Sequence, residues 1–447
     1  MEETRVDVPE GFDFETYINN YKGYSRISRS LYIAKHCQGL AIEAYKTAIQ
    51  DIQQNTRNTA KYIHAVECLN AVLRSKGQPS VPIDQDWVNQ VQRENKSLAD
   101  SLESELKVAK ANLAKEDIRM CHIKMGDYFY NKGDLPSAMK NYVRTRDYCM
   151  TSQNVLDMCF HTIKVGCQQR KRRCILCILT APSIYIKKKV YLDDCNYSHV
   201  VQTYISRAES TPNIPDKINT LSKLKCCQAL SLLGRSEYPN RYRSVASALL
   251  EVSFDSVSSF NDIMSANDVA IYGGLCALVF FDRRQLQTQV LNNTNFKHFL
   301  VLEPTLLELI ECFYKSKYAT CFELLEKYRH ILKLDMYLEP HLDNLLRLVR
   351  EKAMIQYCIP YSIIDMTKMA QAFNISVEVL EDDLVGLIKK NRISARIDSH
   401  KKILCTKKQE KRNEAIERSL LAGDDFEKSS KALLLRLNLM KAQLIVK

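Results

Sequence analysis

Four residues are spaced as metal ligands. Cys174, Cys177, Cys195 and His199 follow the pattern Cys-x2-Cys-x17-Cys-x3-His, and three thiolates with one imidazole satisfy a tetrahedral zinc ion. The chain carries 16 cysteines, so such a spacing also arises by chance, and we expect no metal. The nine histidines are dispersed, with no His-x-His and no His-Glu-x-x-His. A metal hydrolase needs clustered imidazoles and an acid to hold zinc and activate water. There is no Gly-x-x-x-x-Gly-Lys phosphate loop, no dinucleotide-binding glycine pattern and no Gly-x-Ser-x-Gly. Asp193–Asp194 and Asp424–Asp425 are sequence neighbours, which suits surface or capping roles better than a general acid/base pair. We expect no catalytic residue, no cofactor and no enzymatic activity.

A second chemistry is phosphate binding. Lys389, Lys390, Arg392, Arg396, His400, Lys401, Lys402, Lys407 and Lys408 crowd one region, as in a nucleic-acid interface. The helix expected beside them, "VEVLEDDLVGL", carries Glu378, Glu381, Asp382 and Asp383, which phosphates would meet as repulsion. A solvated surface beside a protein interface is the favoured reading, and nucleic acid is disfavoured. The net charge of +12 does not change this. Arg170, Lys171, Arg172, Arg173, Lys187, Lys188 and Lys189 supply more than half of it within one stretch that holds no acid.

The elements that must position these residues read as helices. Glycine (12) and proline (11) are scarce in 447 residues, which favours long helices over a turn-rich β fold. "MGDYFYNKGDLPSAMKNYVRTRDYC" places Gly126, Phe129, Ala138 and Tyr142 at the spacing of a tetratricopeptide-like hairpin. There a small residue lets two helices approach and aromatics fill the gap. Gly133 is expected to end one helix, Asp134 to cap the next and Pro136 to occupy its first turn. Gly273 and Gly274 interrupt an apolar helix, at a cost that makes sense only where a neighbour packs closely. Asp86 to Met120 reads as one long amphipathic stretch with a break near Ala114, preceded by a linker, "KGQPSVPIDQ". From Pro304 the apolar stripes follow a clean helical period.

Beyond Pro360 the pattern changes. "SIIDMTKMAQAF" and "SVEVLEDDLVGLIKK" read as two short helices. Ile393, Ala395 and Ile397 then alternate, "DSH" turns, and Ile403 to Cys405 return. Helix, helix and β-hairpin make a winged-helix pattern. Arg392 to Asp398 and Ile403 to Cys405 are expected to be edge strands that pair with a neighbouring subunit. Glu410 to Val446 reads as a long helix with Leu433, Leu437, Met440 and Leu444 on one face, suited to an intersubunit bundle.

A helical-repeat array ending in a winged helix resembles the PCI family, shared by the proteasome lid, the signalosome and a translation initiation factor complex. The strings "SRAESTP", "NDVAIYGGLCALVFFDR", "FYKSKYATCFELLE", "LDMYLEPH", "ISARIDSHKKIL" and "SLLAGDDFEKSSKALLLR" resemble the signalosome member of that family more than its paralogue in the proteasome lid. The fold class that follows is mainly α: a tetratricopeptide-like helical-repeat array, a PCI winged-helix domain and a long C-terminal helix. The expected boundaries are a disordered tail 1–12, helical hairpins 13–114, repeats 115–300, a PCI domain 301–408 with its winged helix at 360–408, and a terminal helix 409–447.

The resemblance implies a non-catalytic scaffold in the complex that removes the ubiquitin-like modifier Nedd from cullin-RING ubiquitin ligases. Its implied partners are the other PCI subunits, the metal isopeptidase subunit pair and, through the complex, the ligases. A proteasome-lid subunit and a nucleic-acid-binding PCI protein are the alternatives. One segment departs from the pattern: 170–195 is an atypical insertion, either a lineage-specific loop or a gene-model error. Its backbone is expected to loop out from between two stacked helices.

The longest apolar runs, Val269 to Phe281 and Cys174 to Ile186, are about 13 residues against the ~20 of a spanning helix, so no membrane is expected. The start, "MEETRVDVPE", does not read as a secretory leader. Scattered thiols then suit a reducing compartment, and the expected location is cytoplasm and nucleus.

Overall fold

The structure is a computed structural model that describes residues 8–9, 11–180, 201–211, 216–234, 240–406 and 411–442. It divides into two compact units, Met1–Arg350 and Glu351–Lys447. The first begins with α1 (Phe14–Asn19), α2 (Gly23–His36), α3 (Ala41–Asn55), α4 (Thr59–Ser75) and α5 (Gln85–Ala111). It continues through α6 (Lys115–Lys132), α7 (Leu135–Arg144), α8 (Ser152–Thr180), α9 (201–209), α10 (Lys217–Leu233) and α11 (Arg241–Leu250). Then come α12 (Val257–Phe260), α13 (Ala266–Phe280), α14 (Arg283–Gln285), a π-turn at Leu286–Leu291, α15 (Thr294–Val301), α16 (Pro304–Tyr314), α17 (Tyr318–Leu332) and α18 (Glu339–Cys358). No helix among the described residues is long and apolar enough to cross a membrane.

Local chemistry sets the hairpins. α6 ends where Gly133 adopts φ 88°. Its N–H and that of Asp134 reach back to the Tyr130 and Phe129 carbonyls at 3.0 and 2.9 Å, which satisfies the last carbonyls of the helix. Asp134 then caps α7 by accepting from the Ser137 N–H, with Pro136 in the first turn. Where the two helices cross, a Cβ at Gly126 would lie 2.5 Å from the Tyr142 ring. Ala138 is fully buried beneath that contact and Phe129 packs from the side. Tyr142 is held in place, its hydroxyl donating to Asp127 and its ring stacked on His161.

The same device recurs in α13. The helix starts with a capping box between Ser265 and Asp268. A Cβ at Gly273 would meet the Phe296 ring of α15 at 3.0 Å, and one at Gly274 would meet Leu306 of α16 at 2.9 Å. The expected amphipathic stretch 86–120 is two helices. They part at Asn112–Ala114, where Leu113 takes φ 53°.

The segment expected to loop out starts differently. Residues 170–180 continue the backbone of α8, because no proline interrupts Ser152–Thr180 and the run is rich in helix-compatible Arg, Lys, Leu and Ile. The remainder of that expectation, 181–195, lies outside the described residues, as does most of the tail 1–12.

The second unit opens with the last turns of α18, followed by β1 (Ile363–Asp365), α19 (Met366–Phe373), α20 (Val377–Lys389), β2 (Ala395–Asp398), β3 (Ile403–Thr406) and α21 (Lys411–Lys441). The three strands form one antiparallel sheet in the order β1-β3-β2. Leu404 and Ile364 bury the inner face of the sheet, where Met366, Met369, Phe373, Leu380, Leu384 and Leu387 supply the helical side of the winged-helix core.

Candidate functional site

The winged helix supplies the first candidate surface. β3 lies between β1 and β2, in register Ile363↔Cys405 and Ile397↔Leu404. Ile403 to Cys405 is therefore the central strand, and its expected role as a free edge is corrected. The cause is the segment read as the beginning of a helix. Ser362, Ile363 and Ile364 extend, with two β-branched residues that favour a strand. α19 starts only at Met366, because the Asp365 carboxylate accepts from the Thr367 N–H at 2.9 Å and caps it.

The two edges are β1 and β2. Ala395 and Ile397 lie half-buried on β2, whereas Ile393 precedes that strand and is 7 % exposed, a core residue. On the β1 side, Ile359, Tyr361 and Ile363 are exposed at alternate positions, Ile363 by 65 %. Ile359 and Tyr361 lie in the turn that leads into β1, and only Ile363 is on the strand itself.

The second candidate surface is α21. Ile416, Phe426, Leu433, Leu437 and Met440 are all exposed, Phe426 by 74 %. They recur at the three-four spacing of a single helix stripe, interrupted by the small residues Ser419, Gly423 and Ser430. A Cβ at Gly423 meets nothing within 4 Å. Leu444, expected on the same face, lies outside the described residues.

Ionic partners organise the basic cluster. Lys390 pairs with Glu351 at 2.7 Å, and Lys402 pairs with Glu381 at 3.1 Å, while Glu381 also accepts from the Ser399 hydroxyl. Glu381 of α20 thus meets Lys402 of the wing, and Glu351 of α18 meets Lys390 at the end of α20.

A third constellation escaped sequence reasoning altogether. Arg29 of α2 is 1 % exposed. Its Nη1 donates to Asp335 and to the Tyr17 hydroxyl, at 2.7 and 2.6 Å. Its Nη2 donates to Asp268 at 2.7 Å and to the Tyr272 hydroxyl at 3.2 Å. Tyr21 donates to Asp268 and Tyr272 donates to Asp335, and the guanidinium lies 4.2 Å from the Tyr21 ring centre. Asp335 also accepts from the N–H groups of Tyr337 and Leu338.

Burial pushes the Asp268 carboxyl up to about 6, with Arg29 opposing that rise. Burial also opposes ionisation of Asp335, but Arg29 and the Tyr272 and Tyr337 hydrogen bonds outweigh it and hold that carboxyl below its ordinary value. The cluster fastens α2 to the start of α13 and to the turn after α17. Its only sequence sign is a cation on an otherwise apolar and serine-rich helix face, and its acids are 239 and 306 positions away.

The zinc-like pattern is untested: of the side chains of Cys174 and Cys177 nothing is described. Cys195 and His199 lie outside the described residues, and among those described no three His, Cys, Asp or Glu side chains converge as a metal requires. Burial pushes the thiols of Cys276 and Cys321 up to about 12, and those of Cys159 and Cys358 up to about 11. These sulfurs are protonated core atoms, not thiolate nucleophiles.

Comparison with known proteins identifies the family. A model described as "26S proteasome subunit RPN7" matches residues 84–174 and 194–289, and the PCI domain model matches 325–408. "COP9 signalosome complex subunit 1" of Arabidopsis thaliana is 36 % identical over 435 residues, covering 97 % of this chain and 90 % of its own length. "COP9 signalosome complex subunit 1b" of Drosophila melanogaster is 35 % identical, with 97 % and 86 % covered. "26S proteasome non-ATPase regulatory subunit 6" of Oryza sativa is 22 % identical, with 72 % and 75 % covered.

The chain belongs to the COP9 signalosome subunit 1 family.

The resemblance read from the quoted strings is thereby borne out, on the signalosome side of the paralogue pair. The fold class is borne out too: the described residues of the first unit are helical, the PCI domain model matches 325–408, and a long helix follows it. Residues 175–193 fall between the two matched segments of the proteasome-type model, inside the stretch singled out by its composition.

Proposed function

We propose that this chain is a non-catalytic scaffold subunit of the signalosome, the complex that removes the ubiquitin-like modifier Nedd from cullin-RING ubiquitin ligases in cytoplasm and nucleus. The observation that carries the reading is α21, a helix of 31 residues with exposed Ile416, Phe426, Leu433, Leu437 and Met440 on one stripe. A helix left bare in this way gains most by burying that stripe against helices of other chains. Hydrolysis belongs to the metal isopeptidase subunit pair, and this chain assembles and positions it. The other PCI subunits, and through the complex the ligases, are its partners.

The sheet edges add a second mode of contact. The Thr406 N–H donates to the Ser362 carbonyl, so by antiparallel alternation the main-chain groups of Ile363 point away from β3. They are placed to pair with a strand from a neighbouring subunit, with Ile359, Tyr361 and Ile363 supplying apolar contact. A DNA- or RNA-binding role is disfavoured by the ion pairs of Lys390 and Lys402 and by the acidic face of α20.

The test is affinity purification of a tagged chain from its own organism, read by mass spectrometry. Signalosome subunits including the metal isopeptidase are the expected recovery. Recovery of proteasome-lid subunits, or of neither set, overturns the proposal.

A further inference from the structure

The stripe on α21 keeps a stricter period than a single helix face requires. Its members fall at alternate steps of three and four from Ile416 to Met440, a period of about 3.5. A straight helix turns every 3.6 residues or so, and a face held at 3.5 through three heptads belongs to a left-handed coiled coil. Ile416, Gly423, Ser430 and Leu437 occupy the first position of the seven-residue repeat, and Ser419, Phe426, Leu433 and Met440 the fourth.

Nothing in the described chain uses the smallness of Gly423. It lies mid-helix, where glycine costs stability against alanine, yet a Cβ there would meet no atom within 4 Å. At Gly126, Gly273 and Gly274 the added Cβ meets a neighbour inside the chain. At Gly423 the close neighbour has to come from outside it. Phe426, one turn further along the same face, is left bare.

The order of sizes along the seam selects the partner. In a parallel pair of α21 helices each position faces its own copy. Gly423 then meets Gly423 and Ser430 meets Ser430, while Phe426 meets Phe426, which sets voids beside crowding. In an antiparallel pair the first positions of one helix face the fourth positions of the other. A two-fold axis at Lys428, the midpoint of Ile416 and Met440, sets Gly423 against Leu433, Ser430 against Phe426 and Ser419 against Leu437. Ile416 meets Met440 at each end. Every small residue faces a large one, and the pattern is the same from either chain, as a two-fold contact between identical surfaces requires.

We propose that the free chain is a homodimer, its α21 helices paired as an antiparallel coiled coil through this seam. The occupant of the stripe is a second copy of the chain. Polar groups at the seam permit the burial. The Ser419 hydroxyl donates to the Ala415 carbonyl at 2.8 Å within its own helix, so covering it leaves no unmet donor. Glu427, beside the seam, is paired with Lys431 at 2.5 Å. The homodimer and an intersubunit bundle use the same stripe and exclude one another. The inference goes beyond the scaffold role and does not depend on it.

The test is sedimentation equilibrium of the purified full-length chain at roughly 1–100 µM, where a monomer–dimer equilibrium is expected. Gly423→Leu sets a leucine against Leu433 of the second copy. It is expected to weaken dimerisation tenfold or more without lowering the melting temperature, because the position is open within the chain. Gly423→Leu/Leu433→Ala puts a small residue opposite a large one again, and is expected to recover the wild-type constant within about threefold.

A monomer at every concentration overturns the proposal. So does a Gly423→Leu chain that dimerises as tightly as the wild type or more tightly, the result of a parallel pair or of another contact surface. A reciprocal variant no tighter than Gly423→Leu overturns the register. Co-purification with signalosome subunits is a separate readout. A chain that is monomeric yet incorporated sinks only this inference, and a homodimer that is never incorporated sinks only the scaffold reading.

Discussion

Arg29 shows what one buried side chain does for the first unit. A guanidinium with two carboxylates leaves an excess negative charge in a buried space, and the chain meets that with the Tyr21 and Tyr272 hydroxyls, which donate to Asp268 and Asp335, while the Tyr17 hydroxyl accepts from Arg29. Removing the cation leaves Asp268 and Asp335 uncompensated. Arg29→Met is expected to cost about 3–5 kcal/mol, seen as a lower denaturation midpoint and as proteolytic release of α1 and α2 before the rest. The raised Asp268 carboxyl carries a pH signature. Its ordinary value is 3.8 and its folded value about 6, so between these the folded chain binds more protons than the unfolded one, and stability falls as pH rises through that window. Asp335 works the other way: held below its ordinary value, it adds stability above that value and loses it in stronger acid. Melting curves of the wild type and Asp268→Asn at pH 7.5 and 4.5 check this. The wild type is expected to gain about 2 kcal/mol on the variant at the lower pH, and parallel curves refute it. None of this was legible in the sequence, because a single chain gives no sign that residues 29, 268 and 335 meet.

Elements were far easier to read than their contacts. Gly133, Asp134 and Pro136 act within a few residues of one another, so the turn between α6 and α7 could be stated before the structure, and Gly126 implied a close neighbour because a mid-helix glycine otherwise costs stability. Gly126→Ala tests that neighbour. Its methyl would strike a Tyr142 ring fixed by Asp127 and His161, and a loss of about 1–3 kcal/mol is expected; an unchanged melting temperature would mean the ring yields. β1 was missed because three residues carry too little periodicity to separate a strand from the helix that follows, and its partner β3 lies some 40 positions later, Ile364 against Leu404. That omission hid which strand is central. Ile363→Pro removes an outward N–H while sparing the ladder to β3, so the isolated chain is expected to melt as before and to bind a neighbouring subunit at least tenfold more weakly, measured by quantitative co-purification.

At the scale of the whole molecule, the chain's family was legible from strings dispersed over its length, whereas the uses of its surfaces depend on exposure that no string reports. The stripe on α21 is the part with the largest predicted consequence. Deleting residues 410–447 is expected to abolish recovery with the complex while the circular-dichroism melting of the remaining helices persists; undiminished co-purification refutes the role given to that helix. The Arg29 cluster has a further implication, in time instead of space. Arg29 leaves the ribosome 306 residues ahead of Asp335, which at ordinary synthesis rates is a wait of roughly 15–60 s. Until Asp268 follows, 239 residues after Arg29, the first two helices exist without either carboxylate. A chain that stops before Asp268 keeps its guanidinium without either carboxylate it meets in the finished fold.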